Sequence, residues 1–139
     1  GNLAFASCTG LISIIIPDSV TTIGNQAFYK CTELALITIP DSVRTIGSSA
    51  FSGCTNITSI TIGSGVTSID RAAFSSCSNL SQIIVKATTP PSLYSSEYFY
   101  SISIYVPDNS YDAYTTATQW SNLASQIHKL SELDSEEEA

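Results

Sequence analysis

Residues 16–34 read IPDSVTTIGNQAFYKCTEL, and residues 39–57 read IPDSVRTIGSSAFSGCTNI, nearly the same string 23 positions later. The phase holds in column after column. Phe5, Phe28, Phe51 and Phe74 are 23 apart, as are Cys8, Cys31, Cys54 and Cys77, and as are Ala4, Ala27, Ala50 and Ala73. Leu11, Leu34, Ile57 and Leu80 make another column; Ile14, Ile37, Ile60, Ile83 and Ile16, Ile39, Ile62, Val85 make two more. Val20, Val43, Val66 and Ile23, Ile46, Ile69 complete the set. A repeat of this length cannot bury its apolar face alone, so neighbours must stack and share one continuous core. The chain is therefore expected to be a solenoid.

One repeat divides into three short walls. The stretch L-x-x-I-x-I ends in the period-two alternation of a strand, with β-branched residues facing inward. Pro-Asp-Ser (17–19 and 40–42) stops it, because proline lacks the ladder donor and Asp and Ser favour turns. V-x-x-I returns along a second wall. A-F-x-x-C closes the coil as a single helical or 3₁₀ turn, being too short for more. Stacking at about 4.8 Å turns the strands into a parallel sheet and each inward column into a ladder.

The recurring pattern LxxIxIPDSVxxIGxxAFxxCTxL resembles the BspA-type leucine-rich repeat of bacterial surface proteins, and IYVPDNSYDAYTTATQWSNLASQI (104–127) resembles the segment that often closes such arrays. The expected fold is a β-rich leucine-rich-repeat solenoid of 23-residue repeats closed by a C-terminal helical cap. Its expected divisions are repeats over 1–89 (about four coils, beginning mid-repeat), a degenerate last coil over 90–107, a cap helix region over 108–130 and a disordered acidic tail over 131–139.

Each cysteine stands three residues after the phenylalanine and three before Leu or Ile, where a small apolar residue would serve. Free cysteine behaves as a small buried hydrophobe. Stacked neighbours would also lie within disulfide reach; the column favours a ladder of free, buried thiols over that alternative. Tetrahedral zinc is disfavoured, since an in-register column lies on a line.

After Val85 the register slips. Pro90-Pro91 cannot continue an internal ladder, and Ile102–Val106 imitates a last strand. Beyond it Asp108, Asn109 or Ser110 caps a helix on which Tyr111, Tyr114, Trp120, Leu123, Ile127 and Leu130 recur at helical spacing to cover the end of the core. At the other end Gly1-Asn2 aligns with Gly24-Asn25, so the chain opens halfway through a repeat. Further repeats are expected before Gly1 in the natural protein. The uncapped N-terminal edge is an expected site of self-association.

The net charge of −7 is concentrated beyond residue 86, where eight acidic residues face Lys129 alone. No basic stripe offsets it, so nucleic acid is excluded as a partner. No stretch approaches the roughly 20 apolar residues that would insert in a membrane. Catalysis lacks a constellation. His128 is the only histidine and is placed on the cap helix surface; Asp18 and Asp41 share a phase that Asp70 does not; no phosphate loop, HExxH or nucleophile motif occurs. No catalytic residue, metal ligand or cofactor site is assigned.

Binding is the expected role, because stacked repeats build an extended surface of outward columns. On the first strand these are Ser13, Leu36, Ser59 and Gln82, beside Ile15, Thr38, Thr61 and Ile84. The aromatic group Tyr94, Tyr98, Phe99, Tyr100 and Tyr105 is a second candidate, either an interface anchor or a plug for the solenoid end. Resemblance to the BspA-type family implies a non-catalytic cell-surface or secreted module that adheres to host extracellular-matrix proteins or other cells. A spacer or targeting appendage of a larger surface protein, including a carbohydrate-binding one, is the rival reading.

Overall fold

The computed structural model describes residues 1–133. Its strands are β1 (Thr22–Ile23), β2 (Leu36–Ile39), β3 (Thr45–Ile46), β4 (Ser59–Ile62), β5 (Ser68–Ile69), β6 (Gln82–Val85), β7 (Ser92–Leu93), β8 (Ser103–Val106) and β9 (Ile127–Lys129). One helix, α1 (Tyr111–Thr116), lies between β8 and β9. The strands form two all-parallel sheets, β1-β3-β5-β7 and β2-β4-β6-β8-β9. Parallel pairs need a full crossover between partners, and here each crossover is one turn of the solenoid.

Alternation fixes which side chains enter the core. In β2, Ile37 and Ile39 are buried while Leu36 and Thr38 face out, and Ile60/Ile62 and Ile83/Val85 repeat the arrangement in the next coils. The second wall contributes Ile23, Ile46 and Ile69, each following an outward Thr or Ser. The third wall is the single 3₁₀-type turn expected, and it does not propagate into a helix. Its i→i−3 bonds, such as Cys31 N–H to Phe28 O at 3.2 Å, alternate with bonds to the next coil, such as Phe28 N–H to Ala50 O at 2.8 Å. Two columns of left-handed residues produce the alternation: Leu3, Gln26, Ser49 and Ala72 in one, Ser7, Lys30, Gly53 and Ser76 in the other. A left-handed residue every four positions stops a helix from propagating and turns alternate N–H groups along the stack.

The phenylalanine column is a stack of nearly parallel rings, with centroids 5.3, 5.1 and 5.6 Å apart from Phe5 through Phe74. Phe99 ends it edge-on at 6.0 Å. Phe5 departs from the expected core ladder: it is 39% exposed, because among the described residues no coil covers its outer side. Cys8 is only half-buried for the same reason.

The slip after Val85 is milder than expected. Pro91 stands where Thr67 donates its N–H to Arg44 O, so one ladder bond is missing, and Ser92 N–H to Thr67 O at 2.8 Å resumes the sheet. Ser68 pairs with Ser92 and Gln82 with Ser103, so neither sheet is interrupted. Nor do 108–130 form one cap helix. A 3₁₀ turn (Asp108–Ser110), the six-residue α1 and a second 3₁₀ segment (Trp120–Gln126) lead into β9. The β-branched pair Thr115–Thr116 opposes a longer helix: Thr116 Oγ turns back to Asp112 O at 2.8 Å, and Ala117 is extended. β9 then pairs with β8 through Ile104↔Ile127, 23 residues on, so the coil expected to be last is followed by another. Residues 130–133 add a short helical turn where the acidic tail was expected to begin, and the rest of that tail lies outside the described residues.

The expected helix caps make other bonds. Ser110 Oγ donates to Thr88 O at 2.7 Å, and Asp108 Oδ1 accepts from Ser131 N–H at 3.1 Å. Tyr114 and Trp120 fill the end of the core, with Tyr114 O–H bonded to Ala87 O at 2.6 Å and Trp120 Nε1–H to Pro91 O at 2.7 Å.

The cysteines are free, and their column has a second reason besides size. Each thiol from Cys31 on donates to a phenylalanine carbonyl of the coil before: Cys31 to Phe5 O and Cys54 to Phe28 O at 3.1 Å, Cys77 to Phe51 O at 3.0 Å. Burial pushes the Cys54 and Cys77 thiols from the ordinary 9.0 up to about 12. With folded values above the unfolded ones, these thiols stabilise the fold fully below about pH 9, and the contribution is lost as pH rises toward 12. A thiol-reactive chromophore at pH 8 without reductant should therefore label Cys8 quickly and the other three only on unfolding. Four fast thiols would contradict the burial, and none after denaturation would mean disulfides.

Candidate interaction surface

Register turns the outward residues of the five-stranded sheet into two columns. Leu36, Ser59, Gln82 and Ser103 share one, joined by Ser13 through an isolated bridge to Leu36. Thr38, Thr61, Ile84, Tyr105 and His128 share the other, continuing the phase of Ile15. The expected face is thus assembled, but it is not uniformly open. Ile15 is 92% and Leu36 64% exposed, and Ser13 and Thr38 are also exposed. Ser59, Thr61, Gln82 and Ile84 are half-buried, flanked on both sides by neighbouring coils, with Gln82 Nε2 3.4 Å from Ser59 Oγ. Tyr105 is only 5% exposed, its ring tilted against that of His128 at 5.3 Å.

The face therefore opens toward its N-terminal half. A shallow groove of about 410 Å³ runs there over Ser13, Ile15, Leu36 and Thr38, with Asp18, Asp41 and Lys86 also lining it. Leu36 on β2 and Ile15 in the stretch before it give the groove an apolar floor that a partner can bury. Asp41 Oδ1 accepts the Ser64 N–H at 2.8 Å, which holds its carboxyl below the usual range.

Two sequence expectations are corrected here. His128 lies on β9, not on a helix, with Nδ1 3.4 Å from Glu132 Oε2. The aromatic group is not one surface: Phe99 and Tyr105 are buried, whereas Tyr94, Tyr98 and Tyr100 are exposed. The segregation follows from Phe99 entering the core behind Phe74 while its neighbours on either side face out. The third-wall thiol bonds were missed as well. Their only sequence signal was that the small residue is always cysteine and never alanine.

No helix among the described residues is long and apolar enough to cross a membrane. No individual curated protein matches the chain. Among solved structures it is similar to the pneumococcal vaccine antigen PcpA, with a TM-score of 0.65 and 24% sequence identity over 91% of this chain, a likeness of fold. The chain spans 30% of that protein's length. Residues 1–122 match the BspA type leucine rich repeat region in six copies. That count agrees with strands that carry the sheet beyond the four exact repeats, and the chain belongs to the BspA-type leucine-rich repeat family.

Proposed function

We propose that this chain is a non-catalytic protein-interaction module, acting at a cell surface or after secretion, which adheres to host extracellular-matrix proteins or to other cells. Its contact surface is the outward face of β2 and β4 together with the strand-like stretch that precedes them. The observation that carries the reading is the pair Ile15 and Leu36, both well out of the core, Leu36 on β2 and Ile15 in the stretch whose Ser13 bridges to it. Burying both would supply the apolar centre of an interface, and the Ser and Thr around them the polar surround. The groove's Asp18 and Asp41 favour a partner with basic groups beside its apolar contact. Family membership supports the extracellular setting.

The purified chain should bind saturably to at least one immobilised matrix protein. Replacing Thr38 and Thr61 together by lysine, which puts two charges beside the anchor, should weaken that binding at least tenfold without unfolding the sheet. Binding unchanged in the double variant would move the site off this face. No binding to any matrix protein or cell type would remove adhesion as the function.

A further inference from the structure

Three exposed aromatic side chains fall within seven residues between β7 and β8: Tyr94 at 59%, Tyr98 at 43% and Tyr100 at 59%. Their backbone is held from below. Phe99 is buried edge-on against Phe74, and Gln126 Nε2 donates to both Phe99 O and Ile102 O. Trp120 fixes Pro91 just upstream. Beside the tyrosines a polar knot forms around Ser96, itself 4% exposed. Ser96 donates its N–H to Gln119 Oε1 at 3.2 Å and its hydroxyl to the same oxygen at 3.4 Å. The hydroxyl oxygen in turn lies 3.3 Å from Asn122 Nδ2 and 3.3 Å from Tyr100 O–H.

This knot uses one end of each amide. Gln119 Nε2 and Asn122 Oδ1 make no hydrogen bond among the described residues, so a donor and an acceptor stand beside Tyr100. Gln119 also holds a left-handed backbone (φ 68°), as Leu3, Gln26, Ser49 and Ala72 do in the earlier coils. Its side-chain oxygen is held by Ser96, whose hydroxyl also meets Tyr100.

We propose that this platform binds a neutral pyranose glycan, one sugar ring lying on the exposed tyrosines and its hydroxyls bonded by Gln119 Nε2 and Asn122 Oδ1. A pyranose offers an apolar C–H face to an aromatic ring and hydroxyls that both donate and accept, the combination that a tyrosine beside free amide ends can use. Exposed Glu97 within the segment and the net charge of −7 oppose sialylated or sulfated sugars. The one nearby guanidinium, Arg71, lies over the Tyr94 ring at 6.0 Å.

Native electrophoresis of the whole chain through gels carrying a β-1,4-glucan, a β-1,3-glucan or a β-mannan tests this directly. At least one polymer should retard the chain, with the dissociation constant rising at least tenfold in Tyr98→Ala and in Asn122→Ala. Gln119→Gly suits the left-handed backbone and so keeps the fold, yet should lose retardation equally. Thr38→Lys/Thr61→Lys should be retarded like the parent, which separates this site from the sheet face. No retardation by any polymer, or retardation unchanged in all three platform variants, overturns the proposal. So would loss of matrix-protein binding in Tyr98→Ala without any glycan effect, which would assign the tyrosines to a protein partner.

Discussion

Replacing Phe51 with alanine should destabilise the chain by about 3–5 kcal/mol, the range for deleting a large aromatic from a core. It should also divide one unfolding transition into two. Phe51 is fully buried, with rings stacked on both sides at 5.1 and 5.6 Å. In a stack each coil touches only its neighbours, so stability is a sum of coil terms and interface terms. A void in the middle coil weakens two interfaces together, and nothing outside those neighbours can compensate. Urea unfolding followed by circular dichroism should show the loss, and amide exchange should show β1 and β2 opening independently of β8 and β9. Thr61→Ala, on the outward side of the same coil, should stay within about 0.5 kcal/mol of the parent. Equal loss in both variants would mean that the inward and outward assignments are wrong.

Trp120→Ala should cost a similar amount, about 3–5 kcal/mol by the same measure, but with a different distribution. Trp120 is 1% exposed, packs edge-on to Tyr114 at 5.1 Å and holds Pro91 O through its indole N–H. Its removal leaves that carbonyl buried without a donor as well as leaving a void. It sits at one end of the stack, so β9 and α1 should lose amide protection first, while β2 and β4 keep theirs at moderate urea. Uniform loss of protection along the chain would show that the last coil is coupled to all the others more strongly than nearest-neighbour stacking allows.

The inward columns were legible because their chemistry is redundant. Ile37, Ile60 and Ile83 occupy one phase, and only an inward ladder requires that of every copy. The end of the stack was not. Between Val85 and Ile127 the coils run longer and shorter than the period, and aromatic residues replace the aliphatic ones that mark the phase. Spacing from Tyr111 to Leu130 fitted a helix as well as it fitted a coil. What decides between them is tertiary: Trp120 finds Pro91, Tyr114 finds Ala87, and β9 finds an open edge on β8. The sheet face was legible as a set of residues but not as a gradient of exposure. Ile15 and Ile84 read alike in the sequence, and only the neighbours stacked around each side chain distinguish 92% exposure from half-burial. The left-handed columns carried no signal either, since Lys30, Ser49 and Ala72 are ordinary helix or loop residues by type.

Both sheets keep their pairing across coils of 21, 23 and 24 residues, because the departures fall in the corners and not in the strands. An array built this way changes length by whole coils. An in-frame duplication of any one coil would restore every column above it, extending the sheet and its outward face by one strand spacing. One codon gained at a corner would be absorbed, as at Pro90-Pro91. The same codon gained inside β4 would turn Ile60 or Ile62 out to solvent and bring a threonine into the core.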